Sequence, residues 1–319
     1  MTTGSDSSDV LPPEEAFDIL GNGTRIRILE ALAEDAPQRF TDLRRNVGVD
    51  DSGRFNYHLN QLVGHFVDRR DGGYRLSQPG RRVIQAVLSG AVTDSPELER
   101  TPIDWSCHLC GTEPIEIEYT DEQVGVYCSH CDGVYGGDDG DAPVRPADRE
   151  RLYYMHLPPA GVTGRSPEEV FMAASRWTNA EATTAASGIC PRCSARLVES
   201  AVVCRNHSAE SGRCDHCNNR FAVAARLRCT NCVFDIEVMY PNKLQSNVEF
   251  REFLIDEGIN PLHPQSEAAL DVFHHYEEEI ESVDPLEVTF TFFGEEESIS
   301  LTVDDALTVV DVERREVPE

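Results

Sequence analysis

The spacing of the cysteines constrains this chain more than any other feature. Five pairs stand as C-x2-C: Cys107/Cys110, Cys128/Cys131, Cys190/Cys193, Cys214/Cys217 and Cys229/Cys232. The eleventh cysteine, Cys204, opens a C-x2-H with His207. Twelve ligands in couples make three tetrahedral shells. A tight C-x2-C turn lets two thiolates converge on one ion while nearby backbone N–H groups bond the sulfurs. Two such turns close the shell, which is the mark of structural zinc, and three zinc sites are expected. A disulfide within one pair closes a loop too small to staple anything, and a reducing cytosol disfavours it. Thiolate sites of this shape also accept iron.

The simplest grouping is sequential: Cys107, Cys110, Cys128 and Cys131; then Cys190, Cys193, Cys204 and His207; then Cys214, Cys217, Cys229 and Cys232. The intervening stretches of 17, 10 and 11 residues suffice for a hairpin or a turn. Cross-bracing, as in ring-finger modules, is the alternative for residues 190–232, with the first and third couples on one ion and the second and fourth on the other. The six residues between His207 and Cys214 are more than that pattern usually has, which favours the sequential order. His108, His130 and His216 lie inside couples that already supply two sulfurs and read as exposed turn residues. Closed shells leave no open coordination position. The chain also lacks an H-E-x-x-H, a G-x-S-x-G, a P-loop and a dinucleotide-binding glycine pattern, so no enzyme is expected. His274 and His275, near Glu278, read as the solvated face of an acidic helix.

Charge is the second constraint. Fifty-seven acidic residues against 28 basic ones give −29, and Lys243 is the single lysine. An acidic surface almost without lysine suits a protein dissolved in molar salt, where carboxylates hold water and ions. Acidity is then background, and local departures from it carry information. No apolar run approaches the 18 residues that span a bilayer. Residues 1–13 read as a disordered tail without the basic and apolar regions of a secretory signal, so a cytoplasmic protein is expected.

Residues 14–92 read as helices closed by a hairpin. Pro12 and Pro13 precede a helix over 14–20, and Thr24 caps a second that carries Ile26, Leu29 and Leu32. A short third, Phe40–Val47, stops at Gly48. Asp50, Asp51 or Ser52 caps a fourth, on which Phe55, Leu59 and Leu62 make a core stripe. Two short strands flank the turn at 71–73, and a helix over 81–88 closes the module. From Ala36 to Arg82 there are nine arginines and five aspartates, a local +4.

Helix, helix–turn–helix, hairpin, helix is the order of a winged helix. Thr24–Leu29, Phe40–Leu43 and Phe55–Leu59 resemble the corresponding segments of ArsR-type regulators, over about a quarter of the chain. The resemblance implies a dimeric transcriptional regulator that places the helix over 52–63 in the major groove of double-stranded DNA and lays its wing on the backbone. Carried over by position, Ser52, Arg54, Asn56, Tyr57, His58 and Gln61 face the groove, and Arg69, Arg70 and Arg75 lie on or near the wing. Arg54 is the strongest candidate for base reading, since arginine grips guanine bidentately. No cysteine precedes Cys107, so the metal-sensing response of some ArsR-type regulators has no counterpart.

The remainder reads as a linker over 93–103, a zinc ribbon over 104–135 and an acidic loop and linker over 136–165. Residues 166–319 hold a helix begun by the capping box of Ser166 and Glu169, two zinc knuckle sites and a small C-terminal α/β domain. In that last domain, amphipathic helices are expected around 248–257 and 266–282, and strands over 286–292, 298–303 and 307–312. The expected fold class is α+β multidomain. From Glu249 to Glu319 there are 21 acidic and three basic residues, which suits a protein partner better than nucleic acid. The alternative to a DNA-binding regulator is a zinc-ribbon adaptor that uses the winged helix as a docking platform for protein.

Overall fold

A computed structural model describes residues 11–70, 72–131, 133, 151–208, 213–260, 272–295 and 297–316. The chain is a mixed α+β protein of several small sheets and divides into two compact units, Met1–Asp94 and Ser95–Glu319. The tail expected over 1–13 lies, through residue 10, outside the described residues.

The first unit runs α1 (Pro13–Leu20), α2 (Gly23–Glu34), α3 (Phe40–Val47), α4 (Ser52–Leu62), β1 (Val67–Arg70), β2 (Gly73–Leu76) and α5 (Gln78–Leu88). Asn22, not Thr24, caps α2, accepting the Thr24 N–H at 3.0 Å, while Thr24 itself turns into the interior. Asp51 caps α4 through the N–H groups of Gly53 and Arg54 at 2.8 and 3.0 Å. Gly48 ends α3 in the left-handed region at φ +71°. Ile28, Leu29, Leu32, Leu43, Phe55, Leu59 and Leu62 are buried together with Val67, Leu76 and Ile84. Apolar positions three and four residues apart on each helix therefore meet in one core. Gly73, at φ +139°, sits against the backbone of Gln38, where a Cβ would lie 2.2 Å from the carbonyl oxygen. That approach lets Gln38 and Tyr74 exchange two backbone hydrogen bonds, which tie the hairpin to the segment before α3.

The second unit opens with an antiparallel sheet in the order β3 (Leu98–Ile103), β4 (Ile115–Thr120), β5 (Gln123–Tyr127), β6 (Arg151–His156). Two sequence expectations change here. The segment 93–103 is not all linker, because its second half is β3, and the segment 136–165 contains β6. Pro102 is accommodated because β3 is an edge strand, where a missing N–H costs no ladder bond. The acidic run after Cys131 lies outside the described residues. Helix α6 (Pro167–Ala186) carries the expected capping box, with the Ser166 hydroxyl accepting from Glu169 and the Glu169 carboxylate accepting from Ser166. It packs Val170, Phe171 and Ala174 on the sheet, and Gly188 at φ +77° turns the chain away.

Next comes a three-stranded antiparallel sheet of β7 (Leu197–Val203), β8 (Val223–Cys229) and β9 (Asp235–Met239). The helices α7 (Tyr240–Leu244) and α8 (Val248–Asp256) follow. The chain closes with an up-and-down sheet of β10 (Tyr276–Val283), β11 (Leu286–Phe293), β12 (Glu297–Asp304) and β13 (Val309–Glu316). Ala222, Val223 and Ala225 share one core with Phe250, Phe253 and Leu254 of α8 and with Val288, Phe290, Ile299 and Leu301. The helix expected around 266–282 is overturned, since residues 276–283 are β10; residues 261–271 are outside the described ones. The glutamates of this segment favour helix, but Tyr276, Glu278 and Ile280 alternate inward and pair with Phe292, Phe290 and Val288. Pairing in a sheet outweighs local propensity.

Candidate metal centres and candidate nucleic-acid interface

Three of the cysteine couples sit on the same backbone turn. Cys107, Cys190 and Cys214 each donate their N–H to the carbonyl five residues on and accept, through their own carbonyl, the N–H four residues on. The fourth-residue position is left-handed: Gly111 at φ +72°, Ser194 at +64° and Asn218 at +56°. Further N–H groups aim at sulfur, His130 at Cys128 Sγ, His216 at Cys214 Sγ, and Asn231 and Cys232 at Cys229 Sγ, over 3.3–3.4 Å.

The twelve ligands gather into three clusters of four, with the ligand atoms of each cluster within 4.8 Å of one another. The first is the expected one, Cys107, Cys110, Cys128 and Cys131. The other two overturn the sequential grouping and are not cross-braced either. Cys190 and Cys193 join Cys229 and Cys232, while Cys204 and His207 join Cys214 and Cys217, one site nested inside the other. Strand pairing is the cause. β7 and β8 run antiparallel from Leu197↔Cys229 to Val203↔Val223. The turn before β7 therefore meets the turn at the end of β8, and the inner couples meet at the opposite end of the ladder.

Closest sulfur–sulfur approaches across the couples are 3.7 and 3.6 Å in the first cluster and 3.6 and 3.5 Å in the outer one. A tetrahedron with metal–sulfur bonds near 2.3 Å has an edge of about 3.8 Å, so the donor sets fit such an ion. In the inner cluster His207 Nδ1 stands 3.4 Å from Cys217 Sγ, and Nε2 lies 3.1 Å from the Arg220 carbonyl. That carbonyl fixes Nε2 as the protonated nitrogen and leaves Nδ1 to the metal, the usual outer-shell arrangement for a ligating histidine. The Ser208 N–H holds the Cys214 thiol down at about 6 against its desolvation, whereas burial pushes Cys217 up to about 12. Crowded thiols ionise together only with a cation among them, which is what a divalent metal supplies.

The clusters also serve as packing elements. Cys190 and Cys229 are two of the five buried residues in the small core between α6 and the β7–β9 sheet, with Ala185, Leu197 and Leu227. Within the outer site's first turn, Arg192 pairs with Glu181 of α6 at 2.8 Å and donates to His156. His130 and His216 are exposed turn residues as expected, but His108 is not. Its ring lies against His274 with centroids 3.9 Å apart, and its carbonyl accepts from His275 Nε2. His274 and His275 are thus no solvated helical face, since His274 is 6% exposed and stacks on Tyr153. Sequence carried no signal for this contact, which joins residues 167 positions apart.

In the first unit, Ser52, Arg54, Asn56, Tyr57 and Gln61 are exposed on α4, and Tyr57 is 60% exposed despite its size. His58, expected beside them, is buried at 7% exposure because its position, three residues after Phe55 and four before Leu62, falls on the buried side of the helix. On the hairpin Arg69 and Arg70 are exposed, and Arg75 is partly covered and 3.7 Å from Asp68. No helix among the described residues is long and apolar enough to cross a membrane.

Residues 104–309 match the family described as Domain of unknown function (DUF7351), and residues 13–87 match Domain of unknown function (DUF7347). The first match covers well over half of the chain, which therefore belongs to the DUF7351 family. No curated protein and no solved structure matches it.

Proposed function

We propose that this member of the DUF7351 family is a sequence-specific DNA-binding transcriptional regulator with three structural zinc ions. On this reading α1 to α5 with the β1–β2 hairpin are a winged helix, and β3 to β6 with the first metal cluster are a zinc ribbon. The observation that carries it is the two-sidedness of α4. One side, Phe55, Leu59 and Leu62, is fully buried, and the other offers Ser52, Arg54, Asn56, Tyr57 and Gln61 to a partner. Exposed Arg69 and Arg70 stand on the hairpin that follows α4, in a stretch whose local charge is +4 in a chain of −29.

Magnitude narrows the mode of binding. If each protomer neutralises about four phosphates, a tenfold rise in salt costs a factor of about 10^3.6 in affinity. Phosphate contacts alone fail in molar salt. Base contacts from α4, doubled by a second protomer on a palindromic site, supply the remainder.

Selection of bound fragments from random and genomic DNA in molar KCl, with wild type and Arg54→Ala in parallel, tests the reading. Wild type enriches a palindromic motif and Arg54→Ala loses it. A folded, metal-loaded wild type that enriches nothing refutes the assignment.

A further inference from the structure

Strand β7 is an outer strand of its sheet, with β8 on one side only. Cys204 donates its N–H to the Ala222 carbonyl, and the Arg196 carbonyl accepts from Thr230, so both flanking positions turn toward β8. The ladder between them has no register shift, and antiparallel bonding alternates along a strand. Val198, Ser200 and Val202 therefore bond to β8, while Glu199, Ala201 and Val203 aim their N–H and C=O groups away from it. None of those backbone groups has a partner among the described residues. Four other sheet edges are guarded. β3 holds Pro102, β10 has a bulge after Ile280 and three exposed glutamates, and β9 and β13 show acids to solvent. β7 has no proline, no bulge and no lysine, the devices that blunt an edge.

The surroundings of this edge select its occupant. Val198 and Val202 are 48% and 37% exposed on the face turned from the core. Arg196 precedes the open stretch, Arg205 follows it, and Arg228 lies across the ladder from Val198. All three are exposed, and no carboxylate pairs with them among the described residues. Arg226, on the same face, is already held by Asp235 at 2.9 and 2.8 Å. From Arg192 to Arg228 there are seven arginines and three acidic residues, +4 in a chain of −29. We propose that the β7 edge takes an extended acidic peptide of a partner protein by strand addition. Apolar residues of the peptide lie at alternate positions beside Val198 and Val202, and its carboxylates meet Arg196 and Arg228 at one end and Arg205 at the other. Main-chain hydrogen bonds supply the affinity, and the arginines choose acid over base. A phosphate backbone would use the arginines but neither the open N–H and C=O groups nor the valines, which favours a peptide. The assignment does not depend on the DNA-binding reading of the first unit.

The test uses the full, metal-loaded chain in about 1 M KCl, where charges in contact still interact and longer-range attraction is screened. The probe is a labelled heptapeptide of alternating valine and threonine with aspartate at each end, its binding followed by fluorescence anisotropy. A version with lysine at each end binds about tenfold more weakly. Of two isomers N-methylated on alternate residues, the one with its methyl groups on the pairing edge loses binding and the other keeps it. Ala201→Pro removes an outward N–H and no ladder bond, and it abolishes binding. Arg196→Glu with Arg205→Glu reverses the preference between aspartate and lysine ends, and unchanged melting curves and metal content show that the variants are folded. The proposal is overturned if the wild type does not bind the peptide, binds both end types equally, or binds both methylated isomers. Retention of binding by Ala201→Pro overturns it as well. Self-association that Ala201→Pro abolishes assigns the edge to a second copy instead, and displacement of the peptide by duplex DNA assigns the arginines to nucleic acid; either result overturns it.

Discussion

Glu278 links the paired metal sites to the C-terminal sheet through an ionisable group, and that makes its contribution measurable. Its carboxylate reaches from β10 to accept the N–H groups of Ala222 and Val223, at 2.6 and 3.3 Å, where β8 begins. Burial raises it from 4.5 to about 7, and the two N–H bonds only partly offset this. A carboxylate raised on folding binds its proton more tightly in the native state. The native state is thus penalised progressively as pH rises from the unfolded value through the folded one. With these two values the penalty is about 2 kcal/mol at pH 6 and about 3.4 kcal/mol at pH 8, saturating above that. Glu278→Gln keeps an accepting oxygen and has no charge to desolvate. Its absolute stability carries the cost of turning an amide N–H₂ toward one of the two backbone donors, so the pH slope is the informative quantity. Urea unfolding of metal-loaded wild type and Glu278→Gln at matched pH should show the variant gaining about 1.4 kcal/mol on wild type between pH 6 and 8. Release of metal from protonated thiols is common to both proteins and cancels in the difference. A difference that stays constant over that interval would refute the argument, because Glu278 would then be fully ionised in the native state already at pH 6.

The nested grouping has a stoichiometric signature. Metal analysis of the wild type should return three ions per chain. Cys193→Ser and Cys229→Ser, alone or together, should each leave two, whereas Cys193→Ser with Cys204→Ser should leave one; the sequential grouping reverses the outcomes of the two double variants. Lys243 donates to the Ala186 carbonyl at the end of α6 and pairs with Glu199 of β7 at 2.9 Å. Lys243→Met, which leaves both acceptors without it, should cost about 1–3 kcal/mol in urea unfolding. At Gly125 the Tyr127 ring lies across the strand beneath the Arg100 guanidinium, 3.6 Å from its centroid, and a Cβ would meet that ring at 2.7–3.0 Å. Gly125→Ala should displace the ring and cost about 1–3 kcal/mol, read as a lower melting temperature.

Most roles that are local are legible in the sequence, the cap of α2 at Asn22 excepted. The cap of α4 at Asp51, the stop of α3 at Gly48 and the capping box of α6 are each decided within a few residues of chain. The ligand couples belong with them. A C-x2-C turn makes its own hydrogen bonds, and Gly111, Ser194 and Asn218 after the second cysteine or ligand position mark the left-handed residue that the turn needs. Even α4's two faces follow from helical period alone, and only His58, at the boundary between them, fell on the wrong side. The strand β10 was misread for the opposite reason: its glutamates speak for helix locally, and only β11 beside it decides otherwise.

The grouping of the ligands belongs to neither class, because the evidence for it was present but lay in another feature. Spacing along the chain favours neighbours, and 35 residues separate Cys193 from Cys229 while ten separate it from Cys204. A free chain closes the shorter loop at lower entropic cost, but the cost grows only with the logarithm of length, so the two choices differ by about 1 kcal/mol. Pairing β7 with β8 over seven residues, from Leu197↔Cys229 to Val203↔Val223, outweighs that difference. Both segments alternate: Leu197, Glu199 and Ala201 face inward against Val198, Ser200 and Val202, and Val223, Ala225 and Leu227 against Ala224, Arg226 and Arg228. Two alternating runs of equal length flanking a pair of metal turns predict a hairpin with one site at its tip and one at its base. Given that hairpin, the nested arrangement is the one that brings couples together without breaking the ladder.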